Sequence, residues 1–387
     1  MILKTKVREV LENNILRFWE NYTLDQEHGG FVGRVDDDHV IHPKADKAVI
    51  LNTRLLWTYA SAYLNLGSTK YRLLADRAYT YLSDYFFDKE HGGLYWCVNY
   101  QGAPVETKKQ VYAQAFGIYG LSEYAKINQN NRALRRAIEL FELLEERAYD
   151  HQLGGYMEAF SQEWGPIADV RLSEKDLQAD KTMNTHLHVL EAYSNLYSVW
   201  PNHDLKTSLE RLIHLMIDRF VTSTHHFHLF YDQRWRLLSQ EISYGHDIEG
   251  SWLIYEAAKR LPNAELFDQV ADLTVAMAKA SMEGLDEDGG LMNESGPDGL
   301  DTDKHWWPQA EALVGLINAW QISGEASFLD QAEQVWSFIH TRIIDKAGEW
   351  HWRVDREGHV IKGEDKAGPW KCPYHNGRAM IELLNRL

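Results

Sequence analysis

The chain has 387 residues, 44% hydrophobic and 25% charged, the composition of a globular protein with room for one large domain or two ordinary ones. Its net charge of −17, with no basic cluster, argues against nucleic acid and anionic membranes as partners. Two cysteines, Cys97 and Cys372, exclude a disulfide-dense scaffold and fit a reducing compartment, so a cytoplasmic location is expected.

Val7, Val10, Leu11, Ile15, Phe18 and Trp19 recur at helical spacing, which makes residues 3–21 an amphipathic helix rather than a secretion signal. The stretch Asp25-Gln-Glu-His-Gly-Gly-Phe31 follows it and then recurs. It returns as Asp88-Lys-Glu-His-Gly-Gly-Leu94, Asp150-His-Gln-Leu-Gly-Gly-Tyr156, Asp286-Glu-Asp-Gly-Gly-Leu291 and, degraded, Asp345-Lys-Ala-Gly-Glu-Trp350. One interval is about twice the others, so a divergent copy is expected near the midpoint, at His225–Asp232. Gly-Gly permits positive φ and an alternating apolar run follows, so each copy reads as a turn entering a short strand.

Helical stretches come in pairs between the turns: 45–65 with 70–87, then 110–127 with 131–149 and 184–199 with 205–221. They continue as 247–260 with 264–282 and 307–323 with 326–344, and a last helix at 374–386 is left to pair with the first. Six helix pairs whose ends meet predict an all-α protein, an (α/α)6 barrel with short β-hairpins in the loops on one face, with residues 1–387 forming a single domain. An open helical solenoid is the alternative, because repeat spacing alone does not demonstrate closure. No run of 18 apolar residues occurs, so no membrane span is expected.

With 14 Trp, 20 Tyr and 18 His, the chain is rich in flat rings that pack on the C–H faces of sugars. Three histidines stand at inner-helix starts. Asn184 and His188 share one helix face, with Glu191 three residues beyond. His246 lies three residues before Glu249, whose carboxylate would raise the imidazole pKa. His375 follows Pro373 near a helix N-terminus, which would keep it neutral. His186 points elsewhere on its helix, and His28, His91 and His151 read as turn residues. His225, His226 and His228 have no carboxylate at metal-ligand spacing nearby, and His246 with Glu249 leaves a metal reading open.

Five blocks taken together are specific: Lys44–Arg54, Met183–His188, Gly245–Glu249, His305–Glu311 and Trp370–His375. Through them the chain resembles the N-acylglucosamine 2-epimerase superfamily, and within it the cellobiose 2-epimerases, essentially end to end. The resemblance implies an (α/α)6 barrel and reversible epimerisation at C2 of the reducing-end glucose or mannose of β-1,4-linked disaccharides. It matches His188, His246 and His375 to the family's essential histidines, and Arg54, Asn184 and Glu249 to residues around the reacting sugar. It further matches Trp306 and Trp307 to the aromatic pair under the substrate, and Trp370, Asp176 and Tyr112 to other substrate contacts.

A C2–H is acidic only beside a carbonyl, so the hexose must open to its aldehyde before an imidazole takes the proton and leaves a cis-enediol. The epimer then needs a second base across the ring or rotation about C2–C3 over a shared base. His246 and His375 are the expected acid/base pair, His188 assists ring opening or polarises the carbonyl, and Arg54 holds the developing negative charge. No redox cofactor is required by this chemistry, and no metal is expected. The expected partner is an oligosaccharide, and the expected state a monomer or weak homodimer. Rival readings are an aldose–ketose isomerase or N-acylglucosamine 2-epimerase acting on monosaccharides, and a glycoside hydrolase using two of Asp176, Glu249, Asp303 and Glu311.

Overall fold

In the computed structural model, which describes residues 2–128 and 131–387, each expected turn is closed by one antiparallel bridge. The bridges join Leu24 to Phe31, Phe87 to Leu94, Tyr149 to Tyr156, Val221 to Phe227, Leu285 to Leu291 and Ile344 to Trp350. The fourth lies at the expected divergent copy, where His225 takes a positive φ of 65° in a stretch without glycine. Elsewhere the turn aspartate caps the loop: Asp25 Oδ1 accepts from the backbone N–H groups of Glu27 and His28 at 3.0 and 2.9 Å.

Among the described residues, twelve helices alternate between an outer and an inner layer. In chain order, α1 (residues 4–22, with a π-helical stretch at Val10–Leu16) is outer and α2 (Val49–Leu66) inner. The alternation continues through α3 (Thr69–Tyr81), α4 (Val111–Ile127), α5 (Arg132–Arg147) and α6 (Met183–Tyr197). It ends with α7 (His203–Leu215), α8 (Tyr244–Lys259), α9 (Ala264–Ser281), α10 (Trp306–Ser323), α11 (Ala326–Phe338) and α12 (His375–Arg386). The outer helices are amphipathic; α5 buries Ala133, Ala137, Leu140, Phe141 and Leu144, a single stripe. Inner helices are buried all round, as Val49 through Ala62 of α2 show, because each is flanked by the outer layer and by the barrel's own interior.

The ring closes. Each inner helix packs on the next, α12 packs on α2, and α1 packs on α12. On the loop side Val35 N–H donates to Ala367 O at 2.8 Å, and Lys366 N–H to Val35 O at 2.9 Å. An open solenoid is therefore excluded, and the architecture is an (α/α)6 barrel. Short strands seam neighbouring units at the same face: Lys47–Ala48 pairs with Cys97–Val98, Lys181–Thr182 with Phe230–Tyr231, and Lys304–His305 with Arg353–Val354. One feature has no precursor in the periodicity: α3, α7 and α11 each end in a π-helical turn, at Leu82–Phe86, Met216–Phe220 and Ile339–Ile343. No helix among the described residues is long and apolar enough to cross a membrane.

Candidate active site

The inner helices begin with a repeated device. Lys47, Lys109, Lys181 and Lys304 each stand two residues before a helix, are fully buried, and reach back to a turn aspartate. The pairs are Lys47–Asp25 at 2.7 Å, Lys109–Asp88 and Lys181–Asp150 at 2.8 Å, and Lys304–Asp286 at 3.0 Å. Five residues after the lysine, a side chain clamps the strand that leaves the turn. Gln114 holds both the N–H and the carbonyl of Leu94, Gln309 does the same for Leu291, and His186 Nε2 accepts from Tyr156 N–H at 2.8 Å. Such close approach needs glycine beside it: a Cβ on Gly155, at φ +80°, would lie 2.8 Å from His186 Nε2. His186 is thus a turn clamp, which accounts for its pointing away from His188.

Seven residues after the lysine register lie Arg54, Phe116, His188, Glu249, Glu311 and Arg378, one from each inner helix, all buried. They form a layer across the barrel. Arg378 is its hub, donating to Glu191, to Glu249 at 2.6 Å and to Glu311 at 2.7 Å. Tyr374 donates to Glu191 at 2.6 Å. A guanidinium therefore holds together the three carboxylates, its Nη2 lying between the Oε1 atoms of Glu249 and Glu311.

The three histidines present Nδ1 to the protein. His188 shares Nδ1 with Glu191 at 3.0 Å, His375 with Glu311 at 2.7 Å, and His246 with Ser243 Oγ at 2.8 Å. The expected pairing of His246 with Glu249 is not made, because Glu249 is turned to Arg378. The expected rise in the His246 pKa is reversed with it: burial, with His188 adding repulsion, pushes the imidazole down to about 3. His375 is held well below its ordinary value by burial first, then by Arg54 and Arg378. Both rings are neutral at physiological pH and accept protons. Glu191 is driven down to about 2, since Arg378 and His188 outweigh its burial. Burial, with the charge on Glu311, pushes Glu249 up to about 7.

All eleven residues matched through the family resemblance line one cavity of about 490 Å³, within the range of small-molecule sites. His188, His246, His375, Arg54, Glu249 and Tyr112 are grouped at the barrel interior, where Arg54 donates to the Tyr112 hydroxyl at 2.7 Å. Trp306, Trp307 and Trp370 supply its aromatic wall; the Trp307 ring lies 4.7 Å from that of His246 and 5.6 Å from that of His375. Asn184 and Asp176 complete it, Asp176 being fixed by the N–H and hydroxyl of Ser173 at 2.8 and 3.0 Å. Asp303 is elsewhere, paired with Arg353 at 2.7 Å. Two carboxylates opposed across a scissile bond are not formed by Glu249 and Glu311, which share one Arg378 nitrogen.

The N-acylglucosamine 2-epimerase (GlcNAc 2-epimerase) family profile matches residues 29–379. The chain belongs to this family. That membership makes it a carbohydrate epimerase, an enzyme of the isomerase class. It is 45% identical to a cellobiose 2-epimerase of Bacteroides fragilis, covering 99% of each chain. It is 37% identical to one from Dictyoglomus turgidum over 100% of this chain and 99% of the relative. The solved structure of cellobiose 2-epimerase from Bacillus thermoamylovorans B4167 superposes with a TM-score of 0.95 at 39% identity, 99% of each chain being covered.

Several residues of this epimerase-family site escaped the sequence reading. Arg378 and Tyr374 lie beside His375 in sequence, yet only the folded ring brings them to Glu191, Glu249 and Glu311. Glu311 stands in the sequence as the end of the His305–Glu311 block and as a candidate hydrolytic carboxylate; in the fold it anchors His375. The lysine register would have revealed both, since Glu311 and Arg378 occupy the position of His188 and Glu249. Trp352 joins the aromatic wall, its ring 4.8 Å from Trp306. Asp247 was overlooked as the partner of His226, whose Nδ1 it meets at 2.7 Å; this pair closes the fourth unit, where Ile242 replaces the lysine.

Proposed function

We propose that this chain interconverts the C2 epimers, glucose and mannose, at the reducing end of β-1,4-linked disaccharides such as cellobiose and mannobiose. The observation that carries this reading is the set of three imidazoles with Nδ1 tied to the protein, gathered with Arg54 around one cavity. The full-length relatives that are cellobiose 2-epimerases support the choice of substrate.

In the proposed course, His188, backed by Glu191, assists opening of the hexose ring. One of His246 and His375 then takes the C2 proton onto Nε2, the C2–H electron pair moves toward the aldehyde, and a cis-enediolate forms. The other, having taken up a proton from solvent beforehand, gives it to the opposite face, and the first base releases its proton to solvent before the next turnover. Arg54 is a permanent cation, its guanidinium 4.2 Å from the Phe116 ring, and it stabilises the enediolate oxygens without titrating. Trp306, Trp307 and Trp370 pack on the sugar's C–H faces, while Asp176, Asn184, Glu249 and Tyr112 receive its hydroxyls.

Incubation with cellobiose in D2O, followed by NMR, tests this. The expected result is a reducing-end mannose carrying deuterium at C2, with the glycosidic bond intact. Failure to convert either cellobiose or mannobiose would overturn the proposal; released glucose would identify hydrolysis, and a ketose product an isomerase.

A further inference from the structure

A second cavity of about 390 Å³ lies against the first. Eight residues line both, Asp176, Asn184, His246, His305 and Trp307 among them, so the two spaces meet along this seam. The second chamber takes none of His188, His375, Arg54 or Trp370 among its lining residues. Its far wall carries Glu158, Glu241, Glu294 and Asn293 beside the apolar Leu177, Leu229 and Phe230.

The three histidines differ in how they meet this chamber. His188 and His375 are 2% and 7% exposed, and each passes its Nδ1 to a buried carboxylate, Glu191 or Glu311. His246 keeps an accessible edge, borders the chamber, and has the neutral Ser243 hydroxyl as its Nδ1 partner. The chamber carries groups able to relay a proton. Glu158 is fully buried, accepts from the hydroxyls of Thr182 and Thr185 at 2.9 and 2.6 Å, and burial pushes its carboxyl up to about 7. Burial raises Glu294 as well. The carboxylates and the amide supply the several polar partners that ordered water requires in a space of this size.

We infer that the side chamber is a solvent reservoir that exchanges the proton carried by His246 while substrate fills the front cavity, whereas the proton carried by His375 is sheltered. This rests on the proposed epimerisation with His246 and His375 as the two bases. After C2–H breaks, the proton on His246 Nε2 passes to chamber water and a solvent deuteron replaces it, the enediolate keeping its electron pair throughout. The same proton on His375 meets only the protein and the substrate and returns unexchanged. The two bases serve opposite faces of C2, so exchange must depend on which epimer is the starting sugar.

The test starts separately from cellobiose and from its C2 epimer in D2O. At early conversion, deuterium at C2 of the recovered starting sugar is compared with the amount of product. The expected ratio is at least fivefold higher from the epimer whose proton His246 removes. Asn293→Trp, which fills the chamber, should bring the two ratios together with kcat retained. Glu294→Gln, a milder change, should reduce the difference in the same direction. Equal ratios in the unaltered enzyme would overturn the inference, as would a difference that both variants leave untouched. Neither result bears on epimerisation itself, whereas absence of both product and exchange would remove the functional reading on which the inference stands.

Discussion

Glu311 anchors His375 without lining the cavity, so Glu311→Gln separates positioning from binding. Its Oε1 accepts from His375 Nδ1 and Arg378 at 2.7 Å each, and its Oε2 from the Trp252 indole at 3.1 Å. An amide of the same shape has only one oxygen, so one of these donors must face another donor. Losing a charge-assisted hydrogen bond to the imidazolium that forms during reaction is worth about 1.5–3 kcal/mol, or roughly 10- to 150-fold in kcat. KM should stay within about twofold, since uniform binding is untouched.

The same substitution carries a second signal. The Glu311 charge, together with burial, pushes Glu249 up to about 7. Removing that charge lowers the Glu249 pKa, so its limb of the pH–rate profile moves to lower pH. Arg378 keeps Glu191 and Glu249, and the melting temperature should fall by only a few degrees. Initial rates on cellobiose across pH 5–9, with thermal unfolding alongside, supply all three readouts. A kcat within twofold of the parent enzyme, or a raised KM at unchanged kcat, would refute the assignment.

His186→Ala should destabilise by about 1–3 kcal/mol through the lost clamp on Tyr156, while His188→Ala should abolish turnover and leave unfolding nearly unchanged. Denaturant melts and rates on the two variants check the contrast. Lys109→Met leaves Asp88 buried without its cation and should cost about 3–5 kcal/mol at neutral pH. Lys109 and the turn N–H groups hold Asp88 below its ordinary 3.8, outweighing burial, so their stabilisation is present above that value. It is lost as pH falls through the folded value, and the gap between parent and Lys109→Met, followed by denaturant titration, should narrow in acid. Arg54→Met should reduce kcat and C2 deuterium exchange together by about 10²–10³, in line with loss of oxyanion stabilisation; unequal losses would assign Arg54 to another step.

The turn repeat was legible because it is local: Asp, Gly-Gly and an aromatic lie within seven residues, and each bridge forms there. The helix pairs followed from apolar periodicity, and the unpaired first and last helices suggested a ring, whose closure only the contacts of α12 with α2 and α1 establish. Arg54 through His375 came as a group by family resemblance, and the fold brings all eleven residues to one cavity. Partnerships across the ring were not legible. Glu249 looks like a neighbour of His246 along one helix, and only tertiary packing shows that Arg378, more than a hundred residues away, claims its carboxylate. Asp247 and His226 were hidden for the same reason, since neither sits in the Lys–Asp pattern of the other units.

The barrel's near-sixfold frame has a stereochemical consequence. The lysine ties and strand clamps repeat around the perimeter, while the layer inside them carries two arginines, a phenylalanine, a histidine and two glutamates at equivalent positions. His246 opens α8 and His375 opens α12, with α10 between them, so the two lie a third of the way round a closed circle. A flat intermediate standing along the axis would then present one face to each without turning over. Once the ring has opened on the proposed course, handedness at C2 would be decided by position on a circumference.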